Sequence, residues 1–202
     1  MKVRYTGSWY NEALEQEAAT ALLADGCVLI SQHADSMGAP SACEIAGVPN
    51  ISYNGSTYEA CPDTFIVSSA INWAPYFKYI IESCIKGEDI ATDWCGGIAE
   101  GSVVLTGVNL DAAAEGTVEA IQAAIAQFKA GTLKVFDVTK DNFITLNGEK
   151  LTSYMADVDP DEAYTPDTEA IANGCFNESS ERSAPYFDII IDGIENKNVN
   201  FG

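Results

Sequence analysis

Positive charge is scarce in this chain of 202 residues, which has ten lysines and arginines against 30 aspartates and glutamates. Its formal net charge at pH 7 is therefore -20. Proteins that bind nucleic acids contact the phosphates through clustered lysine and arginine, so this balance argues strongly against a nucleic-acid partner. It argues equally against direct binding to an anionic membrane surface.

Long hydrophobic runs are missing as well. No apolar segment approaches the roughly 18 residues that a transmembrane helix needs. Met1 and Lys2 are followed at once by a predicted strand, so we expect no signal peptide or lipobox within this chain. From composition alone, the chain is either cytosolic or exported by a signal that lies outside it.

Residues that commonly carry catalysis or bind metals are few. The chain has one histidine, His33, and none of its six cysteines forms a Cys-x-x-Cys pair, which argues against a zinc ribbon or a thioredoxin-type site. It lacks a Gly-x-Ser-x-Gly elbow, a P-loop and a dinucleotide-binding fingerprint. We therefore expect no catalytic residue, metal or cofactor. We also expect mostly buried thiols, with one or two disulfides as the alternative.

Strand and helix patterns alternate through the first 140 residues. The predicted strands cover residues 2–6, 27–31, 49–53, 64–68 and 133–138, and the predicted helices cover residues 11–24, 37–46, 74–86 and 112–130. Strands separated by helices of this length form βαβ units, which build a parallel sheet with right-handed crossovers. The pattern predicts an α/β fold, an open parallel sheet with helices on both faces.

Helical spacing of apolar residues also predicts which helix faces are covered. The third helix is expected to pack through Phe77, Ile80, Ile81, Cys84 and Ile85. The fourth is expected to pack through Val118, Ile121, Ile125 and Phe128.

The character of the sequence changes near residue 140. We interpret residues 1–140 as a ligand-binding lobe and residues 141–202 as a C-terminal extension. The extension has a predicted turn at Asn147–Gly148, a predicted acidic loop over residues 157–169 and a predicted final strand over residues 185–191.

Polar and aromatic residues follow successive predicted strands. In an open parallel sheet, ligands bind at the carboxyl ends of the strands, so these loops should meet at one edge. The candidate ligand-binding residues are Trp9, His33, Asp35, Asn54, Asn72 and Trp73. Aromatic planes with amides, a carboxylate and an imidazole suit a flat, polar, uncharged ring, because stacking supplies affinity and hydrogen bonds supply selectivity.

Each of these residues also has a structural interpretation. The two tryptophans could pack within the protein, and His33 could be a hydrogen-bonded structural residue. Asp35 could cap the helix that begins near Met37, and Asn72 could cap the third helix. Asn54 is a natural turn residue.

Several motifs together resemble a known family. These are the segments at residues 3–10, 32–36, 52–54, 72–76, 94–97 and 182–188. In order and spacing they are similar to the basic membrane protein family of solute-binding lipoproteins, which includes the purine nucleoside receptors.

The resemblance implies a type I periplasmic-binding-protein fold, in which two α/β lobes close on a purine base or nucleoside. It also implies an ABC permease as partner and a lipid-anchored extracytoplasmic location. Trp9 matches the aromatic residue that stacks on the base. Asn54 stands where many relatives have an acidic residue that grips ribose, and Asn72 where nucleoside receptors often have lysine, so these departures favour a free base.

The motifs begin almost at residue 1, whereas family members are considerably longer. The resemblance therefore implies that this chain is the C-terminal lobe and that the N-terminal lobe is absent, which would weaken ligand binding. A sugar or other small-solute receptor of the same fold remains an alternative, as does a sensor or signalling domain. An enzyme of flavodoxin-like topology is a further hypothesis.

Overall fold

The computed structural model describes residues 1–92, 94–140, 145–156, 168–177 and 190–198. Helices and strands alternate through residues 1–130, except that β3 is followed directly by β4. The strands here are β1 (Lys2–Val3), β2 (Ile30–Ser31), β3 (Asn50–Tyr53), β4 (Phe65–Ile71) and β5 (Val103–Leu105). The helices are α1 (Glu12–Ala24), α2 (Gly38–Ala46), α3 (Ala74–Lys86) and α4 (Thr117–Lys129). Most predicted elements are therefore present. Strands β1, β2 and β3 are shorter than predicted, β4 extends further to Ile71, and the fourth helix starts later.

The main sheet has four strands in the order β2-β3-β4-β5. Strands β2, β3 and β4 are parallel, and β5 runs antiparallel to β4. The carboxyl ends of β2, β3 and β4 therefore lie at one edge of the sheet. The predicted α/β class with a parallel sheet is confirmed.

Two predicted strands differ from expectation. The first shrinks to β1, which pairs in parallel with β12 (Glu195–Asn196) and is not hydrogen-bonded to the main sheet. The predicted strand over residues 133–138 is wrong, because this segment makes only an isolated bridge between Asp137 and Cys175. Its apolar residues Phe136 and Val138 instead pack into a C-terminal core cluster.

The α1–α2 pair forms the closest helix packing of the lobe. The cluster beneath it consists of small or medium apolar residues: Ala19, Ile30, Ala39, Ala42 and Cys43. A Cβ atom at Gly38 would lie 2.2 Å from the backbone oxygen of Glu12, so only glycine allows this approach. The first turn of α2 therefore presses directly on the first turn of α1.

The packing of α3 contradicts the predicted core face. Of the five predicted residues, Ile80 is half-buried, whereas Phe77, Ile81, Cys84 and Ile85 are exposed. The buried residue of the helix is Ser83, with Tyr76 and Tyr79 half-buried. The helix carries large apolar residues on two sides and turns only one of them inward. In α4 the predicted face is confirmed as its half-buried side.

Short antiparallel pairs of strands dominate the described part of the C-terminal region. Their strands are β6 (Thr145–Leu146), β7 (Glu149–Lys150), β8 (Met155–Ala156), β9 (Thr168–Glu169), β10 (Ile171–Ala172) and β11 (Cys175–Phe176). The predicted turn at Asn147–Gly148 is confirmed, since both residues have positive φ, as a tight hairpin turn requires. The acidic loop over residues 157–169 and the final strand over residues 185–191 lie mostly outside the described residues. The division at residue 140 stays a prediction.

The cysteines differ from the expectation of mostly buried thiols. Cys43 and Cys61 are buried, but Cys84 and Cys95 are exposed and the other two are half-buried. All six lie within the described ranges, and no disulfide joins any two of them. Within those ranges, no helix is both long and apolar enough to span a bilayer.

Candidate functional site

A cavity of about 420 Å³ lies between the segment that follows β1 and the segment formed by β2 and the loop after it. Strand β2 is an outer strand of the main sheet and has only β3 as a hydrogen-bonded neighbour. One wall is formed by residues 4–9 and the opposite wall by residues 30–34. Helix α1 contributes Glu15, Ala18, Ala19 and Leu22. The candidate residues Trp9 and His33 therefore line the same cavity.

Three aromatic side chains form a row beside this cavity. The ring centroids of Trp9 and His33 are 6.0 Å apart, and those of His33 and Tyr53 are 4.3 Å apart in a stacked arrangement. Trp9 is 71% exposed, so the interpretation that it packs in the interior is not supported. An exposed indole supported by two further rings offers a flat apolar surface to a solute.

Tyr53 is not among the site residues predicted from the sequence. The signal was available in the register of the sheet, because Ser31 of β2 pairs with Ile51 of β3. Two residues further along each strand, this register places His33 beside Tyr53. Finding it required the pairing of β2 with β3, which the sequence alone leaves open.

The loop that carries Asp35 is tied to the loop that carries Trp9. The backbone N–H of Asp35 donates to the carbonyl oxygen of Trp9 over 2.8 Å. Within the described ranges no group hydrogen-bonds to the Asp35 carboxylate, and α2 begins after Met37 without a side-chain cap. Asp35 is therefore not the cap of α2, and its exposed carboxylate is available to a solute.

Asn54 follows β3 with a backbone φ of 62°, in the left-handed region that asparagine tolerates better than most residues. Its side chain is exposed. The next residue, Gly55, donates its N–H to the Ser68 hydroxyl over 3.3 Å, which anchors the turn to β4. The turn interpretation is thus correct, and it still leaves the amide facing solvent.

Asn72 and Trp73 directly follow the carboxyl end of β4, and their side chains have partners of their own. The Asn72 side-chain amide donates to the carbonyl oxygen of Gly101 over 2.9 Å, and its oxygen accepts from the Ala74 N–H over 3.2 Å. Both polar groups of Asn72 are therefore used within the protein. The Trp73 ring is 57% exposed and contacts rings of its own helix, Tyr76 and Phe77. Neither residue joins the Trp9–His33–Tyr53 row.

Within the described ranges, no group of three or more histidine, cysteine or acidic residues is placed to hold a metal ion. What the arrangement offers is a cavity with a flat aromatic edge, with an exposed carboxylate and an exposed amide in the loops after β2 and β3. Groups of these kinds are suited to stacking and hydrogen bonding with a small solute.

Comparison with known proteins is consistent with this geometry. Residues 1–135 match the family model described as ABC transporter substrate-binding protein PnrA-like. The chain belongs to this family. It is the Bmp family of substrate-binding proteins, and the resemblance drawn from the sequence motifs is thereby confirmed. Membership of this family implies an extracytoplasmic location.

Two curated relatives differ in the solute that their names give. A Haloferax volcanii protein named as a candidate glucose-binding protein of an ABC transporter is 31% identical over 104 residues, which are 52% of this chain and 27% of that protein. A Brucella abortus purine-binding protein is 28% identical over 100 residues, which are 48% of this chain and 28% of that protein. The matched part thus spans little more than a quarter of each relative.

A solved structure also resembles the chain. It is an ABC transporter solute-binding protein from Conexibacter woesei, with 23% identity and a TM-score of 0.49. The alignment covers 65% of this chain and 44% of that protein.

Proposed function

We propose that this Bmp-family chain forms one wall of a solute-binding site and that the solute is a purine base or nucleoside. The observation that carries the proposal is the Trp9 indole, 71% exposed at the cavity and backed by the His33 and Tyr53 rings. A purine is a flat aromatic ring, and stacking on an aromatic side chain contributes about 1–3 kcal/mol per base.

Hydrogen-bonding groups around the row suit the edge of a purine. The Asp35 carboxylate accepts hydrogen bonds only, so it pairs with an N–H or an exocyclic amino group. The Asn54 amide both donates and accepts, so it can pair with a ring nitrogen or a carbonyl. These groups would set orientation, whereas the rings would supply most of the affinity.

The environment of Asn72 supports a free base over a nucleoside. Its side chain is already hydrogen-bonded to Gly101 and Ala74, which holds the amide against the protein, and an amide lacks the charge of the lysine that nucleoside receptors often have there. Trp73 contacts its own helix, so we assign it to packing. This assignment reduces the proposed ligand-binding set to Trp9, His33, Asp35, Asn54 and Tyr53.

The transport role includes partners beyond this chain. We propose that a lipid-anchored receptor delivers the solute to an ABC permease, and that a second lobe of the longer receptor supplies the facing wall of the site. Family membership supports this proposal, and so does the length of the relatives, of which the matched part covers 27% and 28%. Enclosure between two lobes would remove most of the ligand surface from water.

Glucose is the second candidate, because the Haloferax volcanii relative is named for it. The apolar face of a pyranose also stacks on an indole, and carboxylates and amides hydrogen-bond sugar hydroxyls. The shape of the solute therefore decides between the candidates. A purine should engage both Trp9 and His33, whereas a sugar needs one ring face and more polar partners.

Titration of this chain with adenine, guanine, guanosine and glucose, followed by two-dimensional NMR at millimolar solute, tests the proposal. We expect shifts around Trp9, His33 and Tyr53 with a purine, and a loss of about 10-fold in affinity in Trp9→Ala, since one stacking contact contributes about 1–3 kcal/mol. Trp73→Ala removes a second exposed indole and serves as the matched control, with affinity expected within about twofold of the parent.

Three outcomes would contradict parts of this proposal. Shifts with glucose and none with a purine would favour the sugar candidate. Equal losses in the two tryptophan variants would show that Trp9 has no special contact with the solute. No shift with any of the four solutes would reject the proposed site.

A further inference from the structure

A buried carboxylate lies at the base of the candidate site. Glu15, in the first turn of α1, is 2% exposed although it is acidic. Within the described ranges, no lysine or arginine forms a salt bridge with it. A carboxylate buried without a cation requires other donors, because loss of hydration is costly. The contacts of Glu15 should therefore explain why it is there.

Both carboxylate oxygens accept backbone hydrogen bonds, and the two donors belong to different loops. Oε1 accepts from the N–H of Asn11 over 2.9 Å, and Oε2 accepts from the N–H of Ser36 over 3.2 Å. Asn11 ends the loop that carries Trp9, and Ser36 directly follows Asp35. One side chain therefore joins the two loops that carry the indole and the accessible carboxylate.

The first of these contacts is half of a capping arrangement. The Asn11 side chain accepts from the N–H of Leu14, while the Glu15 carboxylate accepts from the N–H of Asn11. Capping alone uses only one Glu15 oxygen and can be made by a fully exposed side chain. The second contact, to Ser36, adds nothing to the cap of α1 and serves only to hold α1 against the loop after β2.

Two further contacts lie at the same junction. The Asp35 N–H donates to the Trp9 carbonyl oxygen, and Gly38 lets α2 approach the Glu12 backbone without a side chain between them. The Glu15 carboxylate is the one charged group among these contacts. Hydrogen bonds to an ionised acceptor are roughly twice as strong as neutral ones.

We propose that Glu15 is a positioning residue, which holds the Trp9 loop against the His33–Asp35 loop and so sets the spacing of the site. The effect on ligand affinity rests on the proposed function, whereas the spacing itself does not. A site held in its binding geometry loses less conformational entropy when the solute arrives. Glu15 lines the cavity wall but acts on the solute through the loops.

The test uses the 202-residue chain with Glu15→Gln, which keeps the size of the side chain. The amide retains one acceptor oxygen and presents an NH2 group to the other backbone donor, so one of the two N–H groups loses its partner. We expect the amide protons of Asn11 or Ser36 to exchange about 10-fold faster, with a weaker nuclear Overhauser effect between the Trp9 and His33 rings. Purine affinity should fall about 10-fold, as for a lost preorganised loop.

Glu17→Gln is the matched control, because it removes an exposed acid from the same helix. It should leave amide exchange, ring contact and affinity unchanged. Glu15→Asp keeps the charge but is one methylene shorter, so we expect it to restore part of the ring contact and affinity. If Glu15→Gln does not fold, Glu15→Asp is measured in its place and should show the same changes to a smaller extent.

The outcomes separate this inference from the proposed function. If exchange quickens but the ring contact persists, the hydrogen bonds exist without a positioning role, and the inference is wrong. Unchanged exchange at both Asn11 and Ser36 would also reject it. If no solute binds the parent chain, the proposed function fails, while the exchange and ring-contact measurements still decide the role of Glu15.

Discussion

Helices α2 and α3 both follow a strand of the main sheet, and each carries a cysteine, but their packing is opposite. In α2, residues Gly38, Ala39, Pro40, Ala42 and Cys43 are buried. In α3 only Ser83 is buried, and Phe77, Ile81 and Ile85 are 55%, 57% and 80% exposed.

The difference follows from the size of the side chains. Small residues let α2 approach α1 until backbone touches backbone, so several positions around the helix are covered at once. Large residues hold a helix further away, and a single contact covers only one side of it. In α3 the apolar side formed by Phe77, Ile81 and Ile85 is left facing solvent.

The largest effect should come from comparing two phenylalanines. Phe65 in β4 is 1% exposed, and we expect Phe65→Ala to lower the free energy of unfolding by about 3–5 kcal/mol because it leaves a cavity. Phe77→Ala in α3 should cost less than about 1 kcal/mol, as for other surface changes. Urea denaturation followed by circular dichroism measures both. Equal losses would mean that the outer side of α3 is covered in solution.

A second comparison uses glycines of the same two helices. Gly38→Ala places a methyl group against the α1 backbone and should cost about 2–3 kcal/mol through overpacking. Gly87→Ala at the end of α3 meets no neighbouring atom, but φ there is 70°, so a cost of about 1 kcal/mol is expected from backbone strain alone. Thermal unfolding of the two variants gives the order. A smaller loss for Gly38→Ala would show that the α1–α2 contact is looser than described.

The third comparison concerns thiol reactivity. Burial, with a smaller contribution from Cys61, raises the pKa of Cys43 in α2 to about 11, which leaves little of the reactive thiolate at pH 8. Cys84 in α3 is exposed. Alkylation with iodoacetamide at pH 8, followed by peptide mass mapping, should label Cys43 at least about 100-fold more slowly than Cys84. Denaturation in urea should remove the difference, and similar rates in the folded protein would contradict the assigned burial.

The exposed side of α3 also shows where sequence reasoning reached its limit. Helical periodicity located Ala74–Lys86 with the correct bounds, because it depends on local spacing. It could not decide which of the two apolar sides of α3 faces the interior, since that depends on the orientation of the helix relative to the rest of the protein. The strand prediction for residues 133–138 was wrong for a similar reason, because Phe136 and Val138 pack against residues that are distant in sequence.

For the candidate site, the same distinction applies. The rule that ligands bind at the carboxyl ends of parallel strands singled out Trp9 and His33, which line one cavity, and Asp35, whose backbone N–H donates to Trp9. It did not reveal Tyr53 or Glu15, whose positions depend on strand register and on a contact between two loops. It also grouped Asn72 and Trp73 with the others. In the structure the Asn72 amide is hydrogen-bonded to Gly101, and the Trp73 ring contacts Phe77 of α3.

The left-handed backbone at Asn54 limits how this site could diversify. A β-branched or bulky residue would be strained at a φ of 62°, whereas glycine, asparagine and aspartate adopt it more readily. Evolution or protein engineering at this position can therefore exchange an amide for a carboxylate or for no side chain at all, but has little room to introduce an apolar group. Changes in solute preference that need bulk must arise elsewhere on the rim.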